Sequence, residues 1–301
     1  MREALKTIVK NAICFECNLP HSESGVDKSC LSSVKDVCFK NENPQDVAKV
    51  IYNGIVEFAL GEYDIDYGNL EKEQLKVLKK NIRYNPDAKM AAKLKYGFYG
   101  EVLLDLVLRC LLKTSVVVAR GYFYSPIENS EVKGFDAFHL IDSGEKLDLW
   151  FGEAKFYKSY NEAITPVLEK LSTSLSDQYV DRNLLAILNE RHNFTASNPK
   201  LNALLDEWEE NPAINLARQM KKHQIRLTYP IFIAYEKKES HSFHESIGKC
   251  IEHILSKCTE LNIQIPASFD YRLFFMFLPL AEVKRIKESV VEWIDSQEPL
   301  I

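Results

Sequence analysis

Two acids and a lysine raise the question of what this chain does. Asp136 follows Gly134-Phe135, and Glu153 and Lys155 sit in the run Gly152-Glu153-Ala154-Lys155. Both segments read as β-strand: Phe135 to Ile141 and Leu147 to Phe156 are rich in aromatic and aliphatic residues. Ser143-Gly144-Glu145-Lys146 joins them as a tight hairpin turn. If Asp142 pairs with Leu147, the register sets Asp136 opposite Glu153. Lys155, two residues on, then shares the face of Glu153. That face carries Asp136, Phe138, Leu140, Leu149, Phe151, Glu153 and Lys155: an apolar surface ending in two carboxylates and an ammonium.

Carboxylates held together are costly unless a cation neutralises them. Mg²⁺ suits such a place, because it takes hard oxygen ligands and keeps several waters; Mn²⁺ substitutes for it. Asp136 and Glu153 each offer an oxygen, and the main-chain carbonyl of Ala154 a third. A metal so held orients and polarises a water for attack on a phosphodiester. Lys155 then positions that water or stabilises the oxyanion. Glu101, on the preceding helix, binds a second ion or orients the water. Gly134 and Gly152 leave room for a backbone or a ligand to approach. The competing reading is a structural ion cluster, since an Asp followed by Glu-x-Lys recurs by chance. Three features favour chemistry. The two acids fall in register, the neighbours Phe151, Ala154 and Phe156 bury the strand, and a buried helix bearing one acid precedes it.

The elements that must position these groups follow from patterning. Tyr96 to Leu112 is apolar nearly all round apart from Glu101, as a buried helix is. Ser115 to Tyr124 reads as a strand ahead of the hairpin. After it come a helix from Ala163 to Asn189, with Pro166 near its first turn and a break around Asp181, and short helices at 201–208 and 213–222. A strand at 227–235, a helix at 244–258, a strand at 272–280 and a helix at 281–294 complete the order. A hairpin followed by alternating helices and strands predicts an α/β fold, a mixed sheet flanked by helices. Ahead of it, Asn43-Pro44-Gln45-Asp46 starts a helix continued by Val47, Val50, Ile51, Ile55 and Phe58, and Leu70 to Ile82 forms another. Residues 1–40 read as short strands or irregular chain. Asn85-Pro86-Asp87 marks a boundary between an N-terminal, mainly helical extension (1–90), the natural place for partner docking, and a core (91–301).

Composition bounds the alternatives. The chain has 301 residues, 46% hydrophobic and 27% charged, enough for one large domain or a domain with an appendage. A net charge of -5 means that nucleic-acid binding needs a local basic face or a basic partner. No apolar run reaches the roughly 18 residues of a membrane span, and the start lacks a signal-peptide core, so the expected setting is cytoplasmic. Of seven cysteines, Cys14, Cys17, Cys30 and Cys38 form a loose zinc-like pattern, but their spacing favours reduced, partly buried thiols.

The order helix, three strands, helix, strand, helix, strand, helix, with Asp…Glu-x-Lys, resembles the PD-(D/E)XK nuclease superfamily, the restriction-endonuclease-like fold, over about residues 95–290. More narrowly, Gly134-Phe135-Asp136-Ala137-Phe138-His139 with Trp150-Phe151-Gly152-Glu153-Ala154-Lys155-Phe156-Tyr157 resembles HamA, the nuclease-subunit family of the bacterial Hachiman anti-phage system. The resemblance implies an Mg²⁺-dependent, DNA-degrading effector held with a helicase partner, HamB. It assigns Asp136, Glu153 and Lys155 to the Asp-Glu-x-Lys positions and Glu101 to the acid of the first core helix. Phe135 stands where the superfamily's name has Pro. Ser174 and Gln178 fall on one face of the helix after the third strand, which resembles the superfamily's use of that helix near the site; a solvated face is the competing reading.

Lys158 and Tyr160 follow the catalytic strand within reach of phosphate, while Arg218, Lys221, Lys222 and Arg226 form the densest basic cluster. Solvated helix charge is the usual meaning of such a cluster. His139 alternates away from the acids and reads as a packed histidine. No phosphate-binding Gly-rich loop or helicase motif occurs, so any ATP-driven step belongs to another protein. The alternatives are a non-catalytic scaffold of nuclease-like fold and an RNA-cleaving nuclease.

Overall fold

The computed structural model describes residues 1–22, 32–125, 130–131 and 134–301. In chain order the elements are α1 (Glu3–Ala12), β1 (Cys14–Asn18), β2 (Val37–Lys40), α2 (Pro44–Ala59), α3 (Leu70–Lys80), α4 (Met90–Lys93), α5 (Phe98–Cys110) and β3 (Ser115–Val116). A small ladder of β4 (Tyr124–Ser125) with β5 (Ser130–Glu131) follows, then the hairpin β6 (Ala137–Asp142) and β7 (Leu147–Tyr157). The chain continues through α6 (Tyr160–Ser174), α7 (Asp177–Asn189), α8 (Pro199–Glu210), α9 (Leu216–Gln219), β8 (Ile225–Glu236), α10 (Phe243–Leu261), β9 (Tyr271–Leu280) and α11 (Val283–Ser296).

Seven strands make one mixed sheet in the order β1-β2-β9-β8-β7-β6-β3, with helices on both faces. The central pairs β7–β8 and β8–β9 are parallel, and the hairpin β6–β7 is antiparallel. One face of β7 and β8 (Leu149, Phe151, Ile231, Ile233) packs on α6, α7 and α10. The other (Ala154, Phe156, Phe232, Ala234) packs on α5, α2 and α11. Two cores therefore sandwich the sheet. Alternation along each strand feeds both, which is why β8 reads as a continuous apolar run. In α5, Val102, Leu103, Leu104, Leu106, Val107 and Leu108 are fully buried. At about 1.5–3 kcal/mol for each large apolar side chain, α5 is anchored firmly enough to hold Glu101 in place.

The α/β fold and the hairpin match the sequence reading, and several local expectations change. Residues 1–40 contain a helix: Leu5, Val9 and Ala12 form the buried stripe of α1. Ser115 to Tyr124 pairs with β6 at Ser115 and Val116, and the Val117 N–H adds one more bond, to the Phe138 carbonyl. Its later polar groups are engaged elsewhere: Asn81 Nδ2 donates to the Gly121 carbonyl at 2.7 Å, and the Gly61 N–H to the Tyr122 hydroxyl at 3.2 Å. Arg120–Phe123 accordingly coils into a 3-10 turn. The helix expected over 163–189 is two helices, parted at Leu175–Ser176, where the Ser176 side chain caps α7. Pro166 lies inside α6, because Ser159 caps that helix earlier than expected.

The segment ahead of residue 91 does not stand apart. β2 pairs in parallel with β9 and so extends the same sheet, and α2 packs against α5 and α11. Cys17 faces Cys38 across β1 and β2, both buried, whereas Cys14 is exposed. Cys30, and most of the polar stretch around it, lies outside the described residues.

Candidate active site

The register holds from Asp142↔Leu147 to Ala137↔Gly152, and there the ladder ends. Asp136 lies one residue beyond it. Its N–H donates to the Gly152 carbonyl at 2.8 Å, and its carboxylate Oδ2 accepts the Ala154 N–H at 2.8 Å. The acid thus does not sit as a ladder partner of Glu153. It caps the edge of β7, taking over a main-chain donor that the departing strand leaves behind. The cause is Phe135, which packs against Phe138, Phe151, Tyr179 and Tyr229. Phe135 and Phe138 lie on the same side of the sheet three residues apart, so strand alternation breaks between them.

Beyond that point the edge of β7 is paired by side chains. Ala154 donates toward Asp136, so its carbonyl faces the same open edge, as the two groups of one strand residue do. Two residues on, the Phe156 carbonyl accepts from Lys287 Nζ at 3.0 Å, and the same ammonium reaches the Leu94 carbonyl at 3.3 Å.

Two glycines shape this corner. A Cβ on Gly152 would lie 2.4 Å from Pro230 Cγ and 2.5 Å from its carbonyl oxygen. The β7–β8 ladder skips this place, passing from Trp150↔Thr228 to Glu153↔Ile231, since proline has no N–H to give. A Cβ on Gly100 would sit 3.2 Å from Phe156 Cβ, so the glycine lets α5 close on β7. That approach delivers Glu101 to the cleft. The space beside Gly134 is filled by Asn183, whose Oδ1 accepts the Phe135 N–H at 3.2 Å, not by a ligand.

A cleft of about 500 Å³ opens at this edge, lined by Asp136, Ala154, Lys155, Glu101, Lys95 and Lys287 among others. Glu153 and Lys155 form an ion pair and are 21% and 16% exposed, so both remain reachable from solvent. Burial first, and the Glu153 charge second, push the Asp136 carboxyl up from 3.8 to about 7. Burial alone would lower the Lys155 ammonium, but the Glu153 and Asp136 carboxylates outweigh it and raise it. Two acids that repel one another beside an open main-chain carbonyl suit a divalent cation. Mg²⁺ needs only one or two carboxylates and retains its waters. The donors that fit are Asp136, Glu153 and the Ala154 carbonyl. Among the described residues no group of three acidic, histidine or cysteine side chains converges tightly enough to form a ready metal cluster, so Glu101 lines the cleft without completing one.

The remaining candidates fall elsewhere. Gln178 is exposed on α7, and Ser174 is buried at the end of α6 beside Tyr229, so the two do not share one helix face. Lys158 and Tyr160 line a separate hollow with Glu236 and His241. Each cation of the basic cluster meets an acid: Arg218 with Asp177, Lys221 with Asp270, Lys222 with Glu207, Arg226 with Asp148. His139 is buried between Thr114 and Asp105 at 2.7 and 2.9 Å, a packed histidine. Sequence reasoning missed Lys287 and Arg120. Lys287 is a half-buried lysine from the last helix, and desolvation lowers its ammonium to about 8. Arg120, in the 3-10 turn, is near enough to act on the Asp136 charge. An unexplained lysine on the buried side of the amphipathic α11 was the available signal for Lys287.

No helix among the described residues is long and apolar enough to cross a membrane. A search among curated proteins returned no match. The family model HamA matches residues 7–294, nearly the whole chain and every residue of the cleft, and the chain therefore belongs to the HamA family.

Proposed function

We propose that the chain is a metal-dependent nuclease that cuts DNA phosphodiesters at the edge of β7, as an effector of Hachiman anti-phage defence. Membership of the HamA family supports the defence association. The observation that carries the chemistry is the Asp136 carboxylate, locked onto the Ala154 N–H beside the Glu153–Lys155 pair at a strand edge with no strand partner among the described residues. Asp136, Glu153 and the Ala154 carbonyl would hold Mg²⁺ or Mn²⁺, which would polarise a water and offset charge on the phosphate.

The chain's own groups then have separable roles. Asp136 is held in one orientation by the Ala154 N–H, so its second oxygen is presented to the cleft. Lys155 balances Glu153 and, once that carboxylate is engaged elsewhere, directs its N–H groups at a phosphate oxygen. Glu101 reaches the same cleft from α5 and orients the attacking water. Lys287 pins the edge carbonyl of Phe156 and thereby the strand that carries Glu153 and Lys155. ATP-driven steps fall to a helicase partner of the HamB kind, and the surface of residues 1–90 is the place for such docking.

The Glu153–Lys155 ion pair favours a second reading, a structural charge cluster in a non-catalytic scaffold. One experiment separates the two. The chain is incubated with plasmid DNA or RNA and Mg²⁺, with and without its helicase partner, beside Glu153→Ala and Lys155→Ala. Cutting by wild type and by neither variant supports the proposal. Cutting by all three misassigns the site, and no cutting in any combination favours the scaffold.

A further inference from the structure

Next to the catalytic cleft lies a second hollow of about 440 Å³, lined by Arg83, Lys95, Arg120, Tyr96, Asn81 and Asn85 among others. The two share Lys95, Tyr96, Gly97 and Glu101, so they form one continuous depression. Its charge is opposite to that of the molecule. Arg83, Lys95, Arg120, Lys155 and Lys287 line it against Glu101 and Asp136, within a chain of net charge -5.

The hollow also has a place for a base. The Tyr96 ring is half-buried, and its hydroxyl accepts the Asn85 N–H at 3.1 Å, which fixes the ring on the wall. Phe58 and Phe98 back the cavity, and the amides of Asn81 and Asn85 border it. A cationic groove with an aromatic platform and amide groups is how proteins hold single strands, through backbone charge and base stacking. The volume is that of a small-ligand site.

We propose that this hollow holds one unpaired nucleotide of the substrate, next to the phosphate at Asp136 and Glu153, so the strand is bound single. The inference rests on the nuclease reading for its orientation, but binding can be read without cutting. It also gives residues 81–85, ahead of the core, a role in the substrate path.

The test is equilibrium binding of the full chain, in EDTA, to a fluorescent single-stranded DNA oligonucleotide and to its blunt duplex, across a salt series. Arg83→Asn and Lys95→Gln are combined; both positions are exposed, and Asn suits the left-handed backbone of Arg83, with its φ of 62°. Tyr96→Ala is measured separately. The single strand should bind at least about tenfold more tightly than the duplex. The double variant should lose about tenfold in single-strand affinity, and its salt slope should fall by roughly 1.4, at about 0.7 for each phosphate that is no longer neutralised. A thermal melt of the double variant, run alongside, checks that it is folded at the assay temperature. Equal affinity for strand and duplex, or an unchanged slope in the double variant, overturns the inference even if wild type cuts DNA. Strand-selective binding without cutting in Mg²⁺, with or without the helicase partner, upholds the subsite and removes the nuclease reading instead.

Discussion

Replacing Asp136 by Asn should stabilise the metal-free protein while abolishing its response to divalent cations. The Asp136 carboxyl titrates near 7 rather than 3.8, because burial and the Glu153 charge both disfavour its ionised form. A shift of about three units corresponds to about 4 kcal/mol as an upper bound. Asp136 is partly open to the cleft and titrates together with Glu153, so about 1–2 kcal/mol is the expected effect. The sign follows from proton counting. Between 3.8 and about 7 the folded chain retains a proton that the unfolded chain has released, so stability falls as pH rises through that window. Asn escapes this penalty, and its side-chain oxygen still accepts the Ala154 N–H. The gain should be absent below about pH 4 and complete above about pH 7. In EDTA at about pH 8, the variant should melt roughly 2–6 °C above wild type. Adding Mg²⁺ should then raise the melting temperature of wild type alone. A variant that melts below wild type at that pH, or an offset that does not change with pH, would refute the reasoning.

Gly152→Ala places a Cβ against Pro230 and should cost about 1–3 kcal/mol in thermal or urea denaturation, with a further loss of cutting as Glu153 shifts. Asp105→Ala strips the partner from Arg109 and from His139 in a buried network. It should cost about 3–5 kcal/mol, yet leave cutting per folded molecule close to wild type, measured well below the melting temperature. Lys287 has its ammonium lowered to about 8 by burial, so the folded chain binds fewer protons than the unfolded one between there and 10.5. Its contribution to stability should therefore rise with pH across that interval, and the offset between Lys287→Met and wild type should change in the same window.

Much of this site was legible because its parts are local. The turn Ser143-Gly144-Glu145-Lys146 fixes the hairpin register, and strand alternation then puts Glu153 and Lys155 on one face. What the alternation could not reveal is where it stops. Phe135 is drawn into the aromatic cluster of Tyr179 and Tyr229, from α7 and β8, and that long-range packing turns Asp136 from a ladder partner into an edge cap. Lys287 and Arg120 were hidden for the same reason: each arrives from a distant element and carries no motif. The N-terminal segment looked separable because Asn85-Pro86-Asp87 breaks the chain after it, whereas the β2–β9 pairing that joins it to the sheet spans most of the chain. In α1 the helical stripe Leu5, Val9, Ala12 is present, but it is short and sits among short apolar runs and a polar stretch that read as strands or irregular chain.

The proposed chemistry requires a cation at the edge of β7 between Asp136 and Glu153. Its most direct test is a Mn²⁺ titration of the full chain followed by electron paramagnetic resonance, with wild type, Asp136→Asn and Glu153→Gln compared. Wild type should take up Mn²⁺ at a site that Mg²⁺ competes for, and both variants should lose that site while remaining folded. Mn²⁺ uptake that is unchanged in both variants would contradict it.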